Sequence, residues 1–476
     1  GRRAYLSLMK VTDRQYAEEL DKKDPLAHFK SQFVIGDPQM CYLDGNSLGR
    51  LPKATITAIN DFMTKEWGPE VVTGWSHWVD EAQPTGDLLG AAALGAAAGQ
   101  VLVCDTTSVN FYQLCLAAIH ARPGRKTIIT DAANFPTDRY ILDGIAKQFG
   151  LNLVIINNED PAVATHERIT TEVLAPYLND DVAMVTLEVI QYRSGARTDL
   201  KSITDQVRAI GALVVWDASH AVGAIELNLD ANGVDLCVGC TYKYGNSGPG
   251  SPAWLYVSKR IQKELQVPIQ GWFAQDAQFE MGPVFERSQT IRGFQIASPS
   301  LMGIRCVQTA FAMIKEAGID AIAHKAAVGT QMMIDLYDEW LAPLGIVLNT
   351  SRDPKERGGH ISLVHPDAAQ ICVAMRTMSN VIPDYRTPNS IRLAISPLPT
   401  SYVEIWVSIR WHNTLCKVDS KRVCSFLRFS KRNRNAFIGQ LHCWRFSLNS
   451  ASSYTHGICF CRLVCWKHEL HNPRHS

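Results

Sequence analysis

No sign of charge dominates this sequence. Lysine and arginine total 47 against 46 acidic residues in 476, so the chain lacks the field that draws nucleic acid or an anionic membrane, and small-molecule chemistry fits better. Long apolar runs are missing too: none reaches the roughly 18 residues of a membrane helix, and the longest candidate, Leu88 to Gly99, is rich in alanine and glycine. The opening residues Gly1 to Tyr5 offer neither an initiator methionine nor an apolar signal core, which makes Met9 the expected start and predicts no export. Cysteine is thin where a disulfide scaffold would need it. Seven of the 13 are scattered over residues 1–406 and read as small buried apolar groups, while six crowd into residues 407–476. A soluble, cytoplasmic protein is the expectation.

The length exceeds one ordinary domain. From about Gly36 to Val257, β-branched runs such as Thr127 to Thr130, Leu153 to Ile156, Val182 to Leu187, Leu213 to Trp216 and Leu236 to Cys240 alternate with amphipathic segments. That alternation predicts a doubly wound α/β fold. Between Thr198 and Gly211, Ile203, Val207 and Ile210 form a helical stripe that Gly211 closes. A second block, Pro299 to Trp406, opens with a long helix pattern followed by short strands near His360 to Val364 and Ser390 to Ile395, which suits a smaller α+β domain. The predicted organisation is a helical segment at 1–35 packing on the small domain, a large domain at 36–298, the small domain at 299–406, and a tail at 407–476.

The tail is set apart by twelve lysines and arginines against only Asp419 and Glu469. It reads as sequence foreign to the preceding fold, of the kind a retained intron or frameshift supplies. Cys459, Cys461, Cys465 and His468 do not have the spacing of a common zinc site, so no metal is expected.

Chemistry concentrates in two stretches, Val214-Val215-Trp216-Asp217-Ala218-Ser219-His220 and Asp235-Leu236-Cys237-Val238-Gly239-Cys240-Thr241-Tyr242-Lys243-Tyr244. Each ends a buried strand in ionisable residues, at the sheet edge where open α/β folds bind ligands. A structural ion pair would satisfy two such charges; a bound cofactor would also account for their desolvation. Pyridoxal-phosphate chemistry needs a lysine for the aldehyde, an acid at the ring nitrogen and donors for the phosphate. Lys243 and Asp217 answer the first two. Asp105-Thr106-Thr107-Ser108-Val109-Asn110 precedes an apolar helix and offers the hydroxyls and free N–H groups of a helix start. Phe135, in Asn134-Phe135-Pro136-Thr137-Asp138, presents an aromatic face. Cys237-x-x-Cys240 reads as buried strand cysteines, and His77, His120, His360 and His365 as surface or satisfied histidines.

From Tyr42 to Tyr402 these residues resemble the kynureninase family. The markers are Leu43-Asp44-Gly45-Asn46-Ser47-Leu48-Gly49, Phe135-Pro136-Thr137-Asp138, Tyr192-Arg193-Ser194-Gly195, Asp217 to Gly223, Tyr242-Lys243-Tyr244 and Gly271-Trp272-Phe273. The resemblance implies fold type I of the pyridoxal-phosphate enzymes, with a mostly parallel seven-stranded sheet and a homodimer whose active site lies at the subunit interface. It also implies hydrolytic Cβ–Cγ cleavage of kynurenine, or its 3-hydroxy derivative, to alanine and an anthranilate. By that resemblance Lys243 bonds the cofactor aldehyde, Asp217 pairs the ring nitrogen and His220 supports them. Thr107, Ser108 and Tyr242 hold the phosphate, with Trp272 and Ser298 reaching it from the partner subunit. Phe135 stacks on the ring and Asp138 bonds its substituents. Arg392 grips the substrate carboxylate, Ser47 and Trp75 line the aryl pocket, and Tyr242 transfers protons. Trp75 and Ser298, in place of a histidine and an asparagine, lean toward unhydroxylated kynurenine.

Two features depart from the family pattern. Glu188 stands where a small hydroxyl residue is usual, and it is not counted as catalytic. The tail replaces the expected final helix after Trp406 and could leave the product inactive. A cysteine desulfurase or class V aminotransferase on the same fold is a rival reading, although Tyr242, not histidine, precedes Lys243. A non-catalytic cofactor-binding product is the other.

Overall fold

The structure is a computed structural model, described over residues 9–159 and 167–417, with side chains described as far as residue 410. The expectations placed on residues 418–476, the Cys459, Cys461, Cys465 and His468 set among them, lie outside the described residues. Residues up to Lys417 form one compact unit.

After a short strand β1 (Cys41–Tyr42), seven strands build the main sheet: β2 (Val101–Val103), β3 (Thr127–Asp131), β4 (Asn152–Ile156), β5 (Val182–Glu188), β6 (Leu213–Asp217), β7 (Leu236–Gly239) and β8 (Trp254–Val257). Their spatial order is β2-β8-β7-β6-β5-β3-β4. All pairings are parallel except those of β8, which runs antiparallel to both β2 and β7. Every residue of β5 and β6 is buried, as expected of central parallel strands covered by helices on both faces. The helix Leu200–Ala209 is one such cover. Asp199 caps it by accepting from Ser202 N–H at 3.1 Å, and it buries Leu200, Ile203 and Val207.

A second core surrounds a four-stranded sheet of order β12-β13-β10-β9, formed by β9 (Val347–Leu348), β10 (His360–Val364), β12 (Asp384–Arg386) and β13 (Ser390–Ala394). The remaining strand, β11 (Val381–Ile382), pairs with β1 in parallel. The helix Ile319–Trp340 packs on this core with Met332, Met333 and Leu336.

The small-domain boundary expected at Trp406 needs moving. A helix runs through it, from Tyr402 to Lys417, because Tyr402, Ile405, Trp406 and Ile409 recur at helical spacing and bury against the second core. The N-terminal helix Arg14–Lys23 braces it. Asp21 accepts from the backbone N–H groups of Tyr402 and Val403 at 2.7 and 3.1 Å, and Trp406 Nε1–H donates to the Thr12 carbonyl at 3.0 Å. Asp21 thereby supplies the negative group that a helix N-terminus favours. Among the described residues no helix is long and apolar enough to cross a membrane.

Candidate active site

The carboxyl ends of β3, β5, β6 and β7 open onto one cavity of about 220 Å³. Each wall has a local cause. Asp105 takes a left-handed backbone (φ 51°), and Thr106 caps the next helix by accepting from Val109 N–H at 3.2 Å. Thr107 and Ser108 are therefore the first residues of the helix Thr107–His120. First-turn N–H groups have no intrahelical acceptor and carry the positive end of the helix dipole. On the next wall, Asn134 donates to Thr130 Oγ1 at 3.0 Å and accepts from Phe135 N–H at 2.7 Å. Pro136 then starts a helix whose first turn buries Asp138. The Phe135 ring centre lies 5.8 Å from Lys243 Nζ and meets Tyr192 edge-on at 5.3 Å.

Asp217 ends β6 and accepts from Ser219 N–H at 2.7 Å. Its register partner on β5 is Glu188, so the two carboxyls sit side by side and both line the cavity. Tyr242 and Lys243 follow β7 in a loop held from outside: Gly49 N–H donates to the Tyr242 carbonyl at 2.8 Å. Lys243 Nζ lies 3.2 Å from His220 Nε2.

Burial sets the electrostatics. It pushes the Asp138 carboxyl well above the usual range, helped by the neighbouring charges of Asp217 and Glu188. Glu188 is raised in the same way, by burial first and then by Asp217 and Asp131. His220 is held well below its ordinary value by burial, with Lys243 and Arg392 adding to the effect. The Tyr242 phenol is pushed up to about 12, mainly by burial, and so keeps its proton at neutral pH.

The cavity brings together Thr107, Ser108, Phe135, Asp138, Asp217, His220, Tyr242 and Lys243. Arg392 stands just behind, fully buried. Its guanidinium donates from Nε to Asp384 Oδ2 at 2.6 Å, from Nη1 to the Tyr192 carbonyl at 2.6 Å and from Nη2 to Ser47 Oγ at 3.0 Å, with His220 Nε2 3.4 Å from Nη1. Ser47 thus belongs to the arginine's surroundings. Trp75 packs edge-on against Trp78 at 5.7 Å and does not line the cavity. Trp272 and Ser298 are exposed and also lie outside it.

Sequence reading missed some of the wall. Thr137, Ser219 and Glu188 line the cavity as well. Glu188 had a signal: like Asp217, it is a charge ending a buried strand. His360 is not on the surface. It is fully buried beside the Arg193 backbone, and its ring centre is 6.0 Å from that of His220. Cys237 and Cys240 are buried free thiols, both pushed up by burial.

This donor set fits pyridoxal phosphate. A helix start suits the phosphate, an aromatic face flanks a lysine amine, and a buried carboxylate is available for a ring nitrogen. His220 Nδ1 is buried without a hydrogen-bond partner, and an unpaired buried polar atom calls for a ligand or another explanation.

Comparison with known proteins points the same way. The family model "Kynureninase C-terminal domain" matches residues 322–411. The kynureninase of Burkholderia pseudomallei (strain K96243) is 33% identical over 420 residues, covering 87% of this chain and 98% of that protein. The kynureninase of Pseudomonas fluorescens is 32% identical over 408 residues, covering 84% and 94%. Among solved structures, an apo cysteine desulfurase from Thermococcus onnurineus NA1 is similar with a TM-score of 0.68 at 16% identity, over 84% of this chain and 98% of that one. A C-DES mutant with glycine covalently linked to the PLP cofactor gives 0.70 at 15% identity, over 81% and 98%. These structural likenesses establish the fold type I architecture.

Proposed function

Since the chain belongs to the kynureninase family, we propose that it hydrolyses the Cβ–Cγ bond of L-kynurenine, or of its 3-hydroxy derivative, to L-alanine and anthranilate, or 3-hydroxyanthranilate. Pyridoxal 5'-phosphate is the cofactor. One observation carries the reading: Lys243 and Asp217, 26 residues apart on neighbouring strand ends, face a single cavity. The desulfurase fold is shared at too low an identity to bring its chemistry along.

When bound, the cofactor supplies an aldehyde and an electron-withdrawing ring that takes up the charge released as the carbon–carbon bond breaks. The protein's residues then have distinct tasks. Lys243 offers its amine and moves the substrate α-proton. Asp217 keeps the ring nitrogen protonated. Thr107, Ser108 and Tyr242 would hold the phosphate, Phe135 would face the ring, and Asp138 and His220 would meet its substituents. Arg392, with Ser47 beside it, takes the substrate α-carboxylate, for which a planar guanidinium is the suited partner. Tyr242, a phenol that keeps its proton, gives that proton to the γ-carbonyl.

Residues 36–298 form the cofactor domain in this reading and 299 onward the small domain, extended through the helix Tyr402–Lys417. The exposed Trp272 and Ser298 complete the cavity of a second copy in a homodimer, and Trp75 lines its aryl pocket. The buried free thiols suit a reducing compartment, the cytoplasm. A coupled assay of alanine and anthranilate release from L-kynurenine and its 3-hydroxy derivative, on the full chain and on one ending at Lys417, tests the reaction. Alanine from neither substrate with either chain overturns it. Restoration of activity on mixing a Lys243→Ala chain with a Trp272→Ala chain tests the shared site.

A further inference from the structure

Strand β12 spells Asp384-Tyr385-Arg386, and alternation puts Asp384 and Arg386 on one face of the small sheet. Arg392, opposite Asp384 on β13, shares that face. The two arginines differ in what they have left to donate. The Arg392 side chain is 0% exposed, and all five of its N–H groups are engaged. Nε and one Nη2 hydrogen go to Asp384 Oδ2, and the other Nη2 hydrogen goes to Ser47 Oγ at 3.0 Å. Nη1 meets the Tyr192 carbonyl at 2.6 Å and His220 Nε2 at 3.4 Å. The Arg386 side chain is 34% exposed and uses two of its five, Nε on Asp384 Oδ2 at 2.8 Å and one Nη2 hydrogen on Ser47 Oγ at 3.3 Å. Its other three have no acceptor among the described residues.

Resting on the reading of the chain as a kynurenine hydrolase, we propose that Arg386 is a second binding residue for the substrate α-carboxylate, which takes the place of Ser47 Oγ between the guanidiniums of Arg386 and Arg392. Besides Asp384 Oδ2, Ser47 Oγ is the atom among the described residues that both guanidiniums reach. A carboxylate oxygen at that point accepts from both Nη2 groups, and its second oxygen takes the uncommitted donors of Arg386. Hydrogen bonds between ions are about twice as strong as those to a neutral hydroxyl, so the exchange favours the carboxylate. Ser47 keeps a partner when it yields the place, because its own hydrogen goes to the Asp44 carboxyl.

The place suits an α-amino acid. His220 Nε2 stands 3.2 Å from Lys243 Nζ and 3.4 Å from Arg392 Nη1, so the lysine and the arginine pair flank one ring nitrogen. A substrate amine delivered to the cofactor at Lys243 leaves the carboxylate, on the adjoining carbon, toward the arginines. The charge of Arg386 bears on His220 and Tyr192 as well, which sets it on the cavity side of the cluster. Arg392, with every donor engaged, can only exchange one acceptor for another. Arg386 adds donors that no group in the chain uses, and the substrate therefore gains bonds that its entry does not first have to break.

The test uses the full chain loaded with pyridoxal phosphate and two ligands, L-kynurenine and its α-carboxamide, which keeps the amine and aryl ketone but carries no carboxylate. Affinity is read from the visible absorbance of the bound cofactor, beside KM and kcat for kynurenine. Arg386→Gln should weaken kynurenine binding and raise its KM roughly thirtyfold, with kcat and carboxamide affinity held within about twofold. Arg386→Lys keeps a cation beside Asp384 and should raise KM about fivefold; it carries the same comparison if urea denaturation shows the glutamine variant unfolded. A residue that merely steadied Arg392 would also weaken carboxylate binding, so each substitution is repeated on Arg392→Lys. Direct contact adds a further rise in KM of about threefold or more on that background, and support alone adds none. Absence of the further rise, or equal losses for kynurenine and its carboxamide, overturns the inference. Failure of the parent chain to release alanine from kynurenine overturns the reading beneath it.

Discussion

Arg392 and Asp384 are register partners on β13 and β12, and one carboxylate oxygen, Asp384 Oδ2, serves both Nε and Nη2 of the guanidinium. Arg386 Nε donates to the same oxygen at 2.8 Å. One oxygen of a single acid thus bonds two arginines, one of them fully buried. Removing it leaves an uncompensated buried cation, the case in which breaking a pair costs most. Asp384→Asn should lower unfolding stability by about 3 kcal/mol, read from urea denaturation. Arg392→Lys keeps the charge but loses the planar fork, and should raise KM for kynurenine roughly a hundredfold with a smaller change in kcat, worth about 3 kcal/mol. An unchanged KM would remove Arg392 from the carboxylate site.

Asp131 ends β3 fully buried, and burial raises its carboxyl from 3.8 to about 6. Its Oδ2 accepts from Asn158 Nδ2 and Gln191 Nε2, both at 2.8 Å, while Oδ1 has no partner. A folded value above the unfolded one means that the native state binds the proton more tightly. The group's stabilising contribution is full below its ordinary value and is lost as pH rises through about 6. Asparagine can accept from both donors without carrying the acid. Asp131→Asn should therefore be the more stable protein at neutral pH, by about 3 kcal/mol, with the difference shrinking on acidification through about 6. Chemical denaturation of both proteins along a pH series measures it, and a difference that grows on acidification would reverse the sign argued here.

The main sheet was legible because β5 and β6 are buried on both faces and spell continuous apolar runs, and because Asp217 and Lys243 break such runs at their ends. Glu188 carries the same signal and was set aside as a departure from the family pattern. The composition boundary at Trp406 misled because charge counting ignores period: Ile405, Trp406 and Ile409 still mark a helix face across the change. His360 could not be placed from its neighbours. Its burial depends on β10 pairing with β13, which puts His360 opposite Ala394 and close to Arg392, a contact between segments more than 25 residues apart.

Tyr242 follows β7 directly before Lys243, and burial pushes its phenol up to about 12. A phenol so disposed stays protonated at neutral pH, so it is present as a hydrogen-bond donor, and it loses its proton to bulk water only in strong alkali. Tyr242→Phe keeps the ring and removes the proton. General acid–base groups contribute roughly a hundred- to ten-thousandfold, and a loss of kcat in that range is expected, with cofactor still bound at Lys243. Measuring kcat beside the visible absorbance of bound cofactor separates the two effects. A variant that keeps full kcat would show that Tyr242 serves the phosphate alone.

Gly49 closes the Leu43-Asp44-Gly45-Asn46-Ser47-Leu48-Gly49 segment against the lysine loop. A Cβ at Gly49 would lie 2.4 Å from both the Lys243 carbonyl oxygen and Asn246 Oδ1, and 2.7 Å from the Asn246 backbone. Its N–H donates to the Tyr242 carbonyl at 2.8 Å, so the segment cannot retreat without giving up that bond. Two of the obstructing atoms are backbone and cannot swing aside as a side chain would. Gly49→Ala must therefore push the Tyr242–Lys243 loop out of place, at an overpacking cost of about 1–3 kcal/mol. The displaced amine should capture pyridoxal phosphate at least tenfold more slowly, with a proportionate fall in kcat/KM, since misplacing a reacting group by about 1 Å can cost a hundredfold. Gly36→Ala is the control, because its Cβ would meet nothing within 4 Å. Equal capture rates for the two variants would mean that the lysine loop holds its position without the glycine.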